Sequence, residues 1–235
     1  MEIELGEKER SMAKETEIKL EIRDLKGFAR KLKKMGAKTV GTGDGRLHEF
    51  NTIFDTPEGG LAKHGQLLRI RTETAGGKGK VSGAKRIVLT FKQPAIFTAR
   101  CASTNPETRR AVGEEVGRFK VREETETELM DSGALTKIFE GLGMRGWFSY
   151  EKYRTTWKLG AKERWAKDLL IEVDETPVGT YVELEGPPEA IDRAAEAFGF
   201  SRRDYLVKNY LTLYAEDCRR KGTTPGNMLF ETKKK

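Results

Sequence analysis

The chain has 235 residues, of which 37% are hydrophobic and 34% charged, with a formal net charge of +7. That length fits one large domain or two small ones, and the excess of charge fits a polar lumen or polar tails better than a solid apolar core. No apolar run approaches the ~20 residues of a membrane span, and Met1–Lys14 is too charged for a secretion signal. The two cysteines, Cys101 and Cys218, stand far apart without metal-ligand spacing, so the expectation is a cytoplasmic protein with free thiols. The basic balance suits an anionic ligand. Because Lys and Arg are dispersed, apart from Lys233–Lys235, nucleic acid is a second choice.

Residues 1–13 read as an extra or flexible segment, 14–218 as one domain, and 219–235 as a flexible basic tail. Lys14–Arg23 is the first strand, followed by a helix from Asp24 to about Met35, with Leu25, Phe28, Leu32 and Met35 at helical spacing and Gly36 as its stop. Strands follow at Arg46–Asp55, Gln66–Thr74 and Arg86–Gln93, with a Gly- and Lys-rich hairpin tip at 75–84. Residues 94–117 show no sustained period and read as a long excursion. Lys120–Leu129 alternates as a strand, and Asp131–Leu142 is a helix ended by Gly143. Three more strands are expected at Trp147–Leu159, Lys167–Asp174 and Gly179–Gly186, with a turn at Gly160–Ala166. Helices are expected at Pro187–Phe198 and Asp204–Cys218. No Gly-rich phosphate loop, nucleophile elbow or dinucleotide fingerprint occurs. His48 and His64 lack partners at ligand or triad spacing.

Side chains alternate along a strand, so residues two apart share a face. On that rule Glu15, Glu17 and Lys19 face one way while Thr16, Ile18 and Leu20 face the other. The same separation recurs with Arg69/Arg71, Arg86/Lys92, Arg122/Glu124/Glu126, Lys152/Arg154, Glu172/Asp174 and Glu183/Glu185. One charged face is ordinary surface, and an open watered sheet would also alternate. Seven strands with the same device, with like charges neighbouring on a strand, point instead to a sheet closed around a polar lumen. Carboxylate clusters call for hard cations such as Mg²⁺ or Mn²⁺, and clustered Arg and Lys for phosphate oxygens.

These residues in this order resemble the CYTH superfamily, the triphosphate tunnel metalloenzymes, over about residues 14–217. The resemblance rests on Glu15-x-Glu17-x-Lys19, Phe54-Asp55-Thr56-Pro57, Leu68-Arg69-Ile70-Arg71 and Leu89-Thr90-Phe91-Lys92. It continues through Arg122-x-Glu124-x-Glu126, Glu151-Lys152-x-Arg154, the Glu172/Asp174 strand and Glu183-Leu184-Glu185. It implies an α+β fold, an eight-stranded antiparallel β-barrel with helices packed outside. It also implies phosphate binding by Lys19, Arg69, Arg71, Lys92, Arg122, Lys152 and Arg154, with Lys208 of the last helix closing one end. The metal-side acids would be Glu15, Glu17, Glu124, Glu126, Glu172, Asp174, Glu183 and Glu185. Lys19, Glu17 and Glu126 are the expected catalytic residues.

The expected activity is Mg²⁺- or Mn²⁺-dependent hydrolysis of a small-molecule triphosphate. Two alternatives stay open: a class IV adenylyl cyclase making cyclic AMP and pyrophosphate from ATP, and a non-catalytic polyphosphate- or nucleotide-binding module. A homodimer is compatible with such a barrel, and the group attached to the triphosphate is not specified by these motifs.

Overall fold

The computed structural model describes residues 13–41, 43–77, 80–81, 85–95 and 118–231. Most of the 94–117 excursion, Cys101 and the Lys233–Lys235 run lie outside the described residues, as does the N-terminal segment before Ala13. Ten strands are described: β1 (Ala13–Glu21), β2 (Lys38–Thr39), β3 (Arg46–Asp55), β4 (Leu67–Gly77), β5 (Lys80–Val81), β6 (Arg86–Pro94), β7 (Lys120–Leu129), β8 (Arg145–Lys158), β9 (Leu170–Thr176) and β10 (Gly179–Glu185). The helices among these residues are α1 (Leu25–Lys34), α2 (Gly60–Lys63), α3 (Ser132–Gly141), α4 (Pro188–Ala197) and α5 (Tyr210–Lys221).

Eight strands pair in the order β8-β3-β4-β6-β7-β1-β10-β9, and β9 pairs back onto β8. Every pairing in the ring is antiparallel, so the sheet is a closed barrel, the expected class. The short β2 adds to β8 outside the ring, and β5 makes a hairpin with β4. Closure leaves the ring without the open edge that invites aggregation.

The outward apolar residues of β1, β4, β6, β9 and β10 are covered by helices. Ile18, Leu20, Ile171, Val182 and Leu184 pack with Leu32 of α1 and Ile191 and Ala194 of α4, all fully buried. Helix α1 presents Phe28 and Leu32 four residues apart on that face, and Asp24 caps it by accepting from the Gly27 N–H at 2.8 Å. Phe139 of α3 packs on Phe54, Leu68, Ile70 and Ile87. A third cluster joins Tyr210 and Leu213 of α5 to Ile53, Phe148, Tyr150 and Tyr181.

Two segments differ from the sequence reading. The final helix begins at Tyr210, not Asp204. Residues Arg202–Asp204 form a 3₁₀ turn closed by a Ser201–Asp204 capping box, and the chain then runs extended. The reason lies in β1: β7 pairs only with Ala13–Glu17, leaving the backbone of Lys19 unpaired on that side. Leu206 fills the gap, donating to the Lys19 carbonyl at 2.9 Å and accepting from its N–H at 2.8 Å.

The C-terminal residues expected to be a flexible tail are mostly exposed as far as they are described, but one of them, Met228, is buried and anchors the segment. Arg219–Lys221 complete α5, and Met228 pairs in parallel with Tyr150. The cause is again an open strand side, because β9 covers only Tyr153–Trp157 of β8. Ser149 and Glu151 of β8 exchange backbone hydrogen bonds with Met228 at 3.0 and 2.9 Å, and the Met228 side chain is 1% exposed. Replacing Met228 with Ala should therefore cost about 2–5 kcal/mol in urea denaturation. A loss under about 0.5 kcal/mol would show that the strap is not part of the folded unit.

Candidate active site

The lumen is a cavity of about 640 Å³. Glu15, Glu17, Lys19, Arg69, Arg71, Lys92, Arg122, Glu124, Glu126, Lys152, Arg154, Glu172, Glu183 and Glu185 all line it, as alternation requires. Asp174 lies beneath the cavity wall, fully buried. Its carboxylate accepts from Lys152 Nζ at 2.9 Å, Arg154 Nε at 2.7 Å and the Tyr210 hydroxyl at 2.6 Å. Lys208 is not with them. It precedes α5, and its ammonium bonds Glu216 at 2.7 Å on the outer surface.

The cavity also holds Glu49, Glu73, Lys120, Tyr150 and Tyr210, which the motifs did not single out. Parity would have found three of them, and the ladder register adds a fourth. Glu73 follows Arg71 by two residues, Lys120 precedes Arg122 by two, and Tyr150 precedes Lys152 by two; Glu49 is the register partner of Lys152. Tyr210 arrives on a helix and no strand period announces it. Its ring lies 5.3 Å from the Lys19 ammonium and 5.1 Å from that of Lys152, so one aromatic face serves two cations.

Acids and bases face each other across strands. Arg154 contacts Asp174 at 2.6 Å and Glu183 at 2.7 Å, and also bonds Glu172. Lys19 sits 3.1 Å from both Glu17 and Glu183, and Lys120 also bonds Glu17. Lys92 bridges Glu15 at 2.7 Å and Glu124 at 2.9 Å. Glu126 accepts from the Thr90 hydroxyl at 2.6 Å and lies 3.4 Å from Arg71. Burial alone would raise the Glu17 carboxyl, but Lys19 and Lys120 hold it well below the usual carboxylate range. Burial likewise opposes the Lys19 charge, and Glu17 and Glu183 hold its ammonium well above the usual range.

Three carboxylates behave otherwise. Burial, then the charges of Glu172 and Glu15, push Glu185 up to about 8. Burial lifts Glu124 to about 7 despite Lys92, and Glu172 to about 7 despite Arg154. Burial is the first cause in all three, and neighbouring carboxylates add to it, so together they mark a wall where negative charge is poorly solvated. Carboxylate oxygens suit Mg²⁺ or Mn²⁺, so the donors fit a hard divalent cation there. Among the described residues no three acidic, His or Cys side chains are already gathered as ligands, because most of the carboxylates are turned to a Lys or Arg.

The sign of the pH dependence follows. A carboxyl whose folded pKa is raised binds protons more tightly in the folded state, so it subtracts stability as pH rises from the unfolded value through the folded one. Between pH 5 and 8 (the window from the ordinary ~4.5 to the raised ~7–8), the melting temperature should fall. Glu185→Gln should flatten that slope, and Mg²⁺ should recover more stability at pH 8 than at pH 6. Calorimetry showing a flat or rising profile would refute the charge assignment.

Comparison with known proteins agrees with this geometry. The CYTH domain family matches residues 13–202. The PH1819 protein of Pyrococcus horikoshii superposes with a TM-score of 0.61 at 19% identity, covering 86% of this chain and 98% of that one. A Vibrio parahaemolyticus protein named "putative adenylate cyclase" gives 0.61 at 15% identity, with 86% and 98% covered. A conserved hypothetical protein of Pyrococcus furiosus gives 0.57 at 22%, with 85% and 99% covered. The sequence matches no curated protein. With the family matched over most of its length and its charged strand positions converging on one lumen, this chain belongs to the CYTH family.

Proposed function

We propose that the protein is a divalent-metal-dependent phosphohydrolase acting on a triphosphate-bearing substrate. One observation carries the reading: among the described residues, ten carboxylates and nine Lys or Arg side chains line one cavity inside the closed barrel. A lumen so near to neutrality repels a bare triphosphate and accepts a triphosphate with its cations, since each sign then meets its opposite. Bound Mg²⁺ or Mn²⁺ would be held by Glu15, Glu172 and Glu185, and would neutralise phosphate charge while lowering the pKa of water.

The chain's own residues supply the rest. Lys19, Arg69, Arg71, Lys92 and Lys152 stabilise the charge spread over the phosphoryl oxygens. A water oxygen attacks the terminal phosphorus, the bond from that phosphorus to the bridging oxygen breaks, and the bridging oxygen departs with the electron pair. Glu124, lifted by burial to about 7 and outside that ligand set, is poised to take the proton of the attacking water at neutral pH. Glu17 and Glu126 act through their partners, fixing Lys19 and Lys120 in one case and Arg71 and Thr90 in the other.

Inorganic triphosphate, ATP, GTP and thiamine triphosphate assayed with Mg²⁺ and with Mn²⁺ test this reading. Phosphate release is expected, and Lys19→Gln should reduce kcat by about 10²–10³-fold while circular dichroism stays native. Cyclic AMP with pyrophosphate from ATP would replace hydrolysis by cyclisation. Tight binding without turnover would leave a binding module.

A further inference from the structure

We infer that one mouth of the tunnel binds a planar heteroaromatic group carried on the triphosphate, with Trp147 as its stacking surface. The substrate is then an organic triphosphate ester, of the nucleoside or thiamine type, and not inorganic triphosphate. The inference deepens the triphosphate reading and rests on it.

A β-bulge is the first observation. In the β3–β8 ladder Ile53 faces Phe148 and Phe54 faces Gly146, so Trp147 has no partner of its own. The extra residue breaks alternation and re-aims a side chain. Phe148 is 2% exposed, packed on Tyr150 and Tyr214, whereas Trp147 is 48% exposed and lines the cavity. Gly146 lets the strand lie close there, because an added Cβ would stand 3.0 Å from the Thr52 methyl and 3.7 Å from the Phe54 ring.

The surroundings of Trp147 are the second observation. Ile53, Phe54, Leu67 and Leu211 line the same end of a cavity whose middle is ringed by charge. Inorganic triphosphate has no apolar surface to place against them, whereas a heteroaromatic ring does. Ile53 is the register partner of Arg69, and Leu67 that of Lys92. A ring at this ledge therefore stands beside the cations proposed to hold its phosphates.

The rim is also braced before any ligand arrives. Asp55 accepts from the backbone N–H groups of Thr56 at 2.7 Å, Leu61 at 2.8 Å and Ala62 at 2.9 Å. Arg122 donates to the Gly65 carbonyl. A preformed rim spares the ordering cost of binding.

The test compares the Kd values of inorganic tripolyphosphate, ATP and thiamine triphosphate for the full chain and for Trp147→Ala and Trp147→Phe. In the wild type a ring-bearing triphosphate should bind tighter than tripolyphosphate. Trp147→Ala should shrink that ratio by about 5- to 150-fold, the equivalent of the ~1–3 kcal/mol of one base–aromatic stack, and Trp147→Phe should keep most of it. If Trp147→Ala does not fold, Trp147→Leu reads the same ratio with apolar volume but no ring. A ratio unmoved within about twofold, or tripolyphosphate as the tightest wild-type ligand, overturns this inference and leaves the triphosphate reading standing. Failure of all three compounds to bind takes down the triphosphate reading and this inference with it.

Discussion

Closing a sheet on its charged face imposes a constraint that an open sheet escapes. Every carboxylate and ammonium in the lumen must find its opposite, since an unpaired buried charge costs several kcal/mol. Arg154 shows the solution at its most demanding. Its guanidinium, on β8, is shared among Asp174 and Glu172 of β9 and Glu183 of β10. Three strands are thereby tied across the seam where β9 closes onto β8, and the charges that would oppose closure become contacts that hold it.

Balance of this kind also makes the interior responsive. Opposite charges meet across strands, as Lys92 does with Glu15 and Glu124, and also along one, as Lys19 does with Glu17, so each group is held by contacts a ligand can exchange. A phosphate oxygen can take the place of a carboxylate on Lys19 or Lys92, and the released carboxylate then needs a cation. Uptake of anion and metal together satisfies both halves; uptake of either alone strands a charge. The carboxylates that burial lifts to about 7 and 8 are the ones least compensated for their desolvation.

The barrel and most of the lumen were legible in the sequence because period-two alternation is a strict geometric rule, and charge on alternate residues displays it without ambiguity. Glu49 was hidden because β3 presents one charge between Leu47 and Asn51 on its inner face, which reads as an ordinary mixed strand. Lys208 was misjudged because helical spacing of Tyr205, Leu206 and Tyr210 disguised an extended segment. Its conformation is dictated by the unpaired backbone of Lys19, nearly 190 residues earlier, roughly the whole length of the fold. Met228 was invisible for the same reason. Local pattern cannot report an open strand side elsewhere, and both segments exist to fill one.

The register gives the tunnel a direction. The strand ends carrying Trp147, Ile53 and Leu67 gather at one mouth, and from there the inner residues run Arg69 then Arg71 on β4, Arg122 then Glu124 on β7, Lys19 then Glu17 then Glu15 on β1, and Glu183 then Glu185 on β10. The sequence from the mouth inward is thus apolar, then mainly basic, then mainly acidic, with each two-residue step advancing about 6.7 Å along a strand. A triphosphate ester held with its ring at the mouth would pass its first phosphate along the basic row and bring its last to the acids. The carboxylates near 7 and 8, and any cation they hold, would then stand by the terminal phosphorus. Cyclisation needs its proton acceptor at the opposite end of the chain of phosphates, beside the ribose, where the carboxylates at hand, Glu17 and Glu183, are already bound to Lys19 and Lys120. On the proposed reading, the polarity of the barrel is the argument for water attacking the terminal phosphorus over a ribose hydroxyl attacking the first.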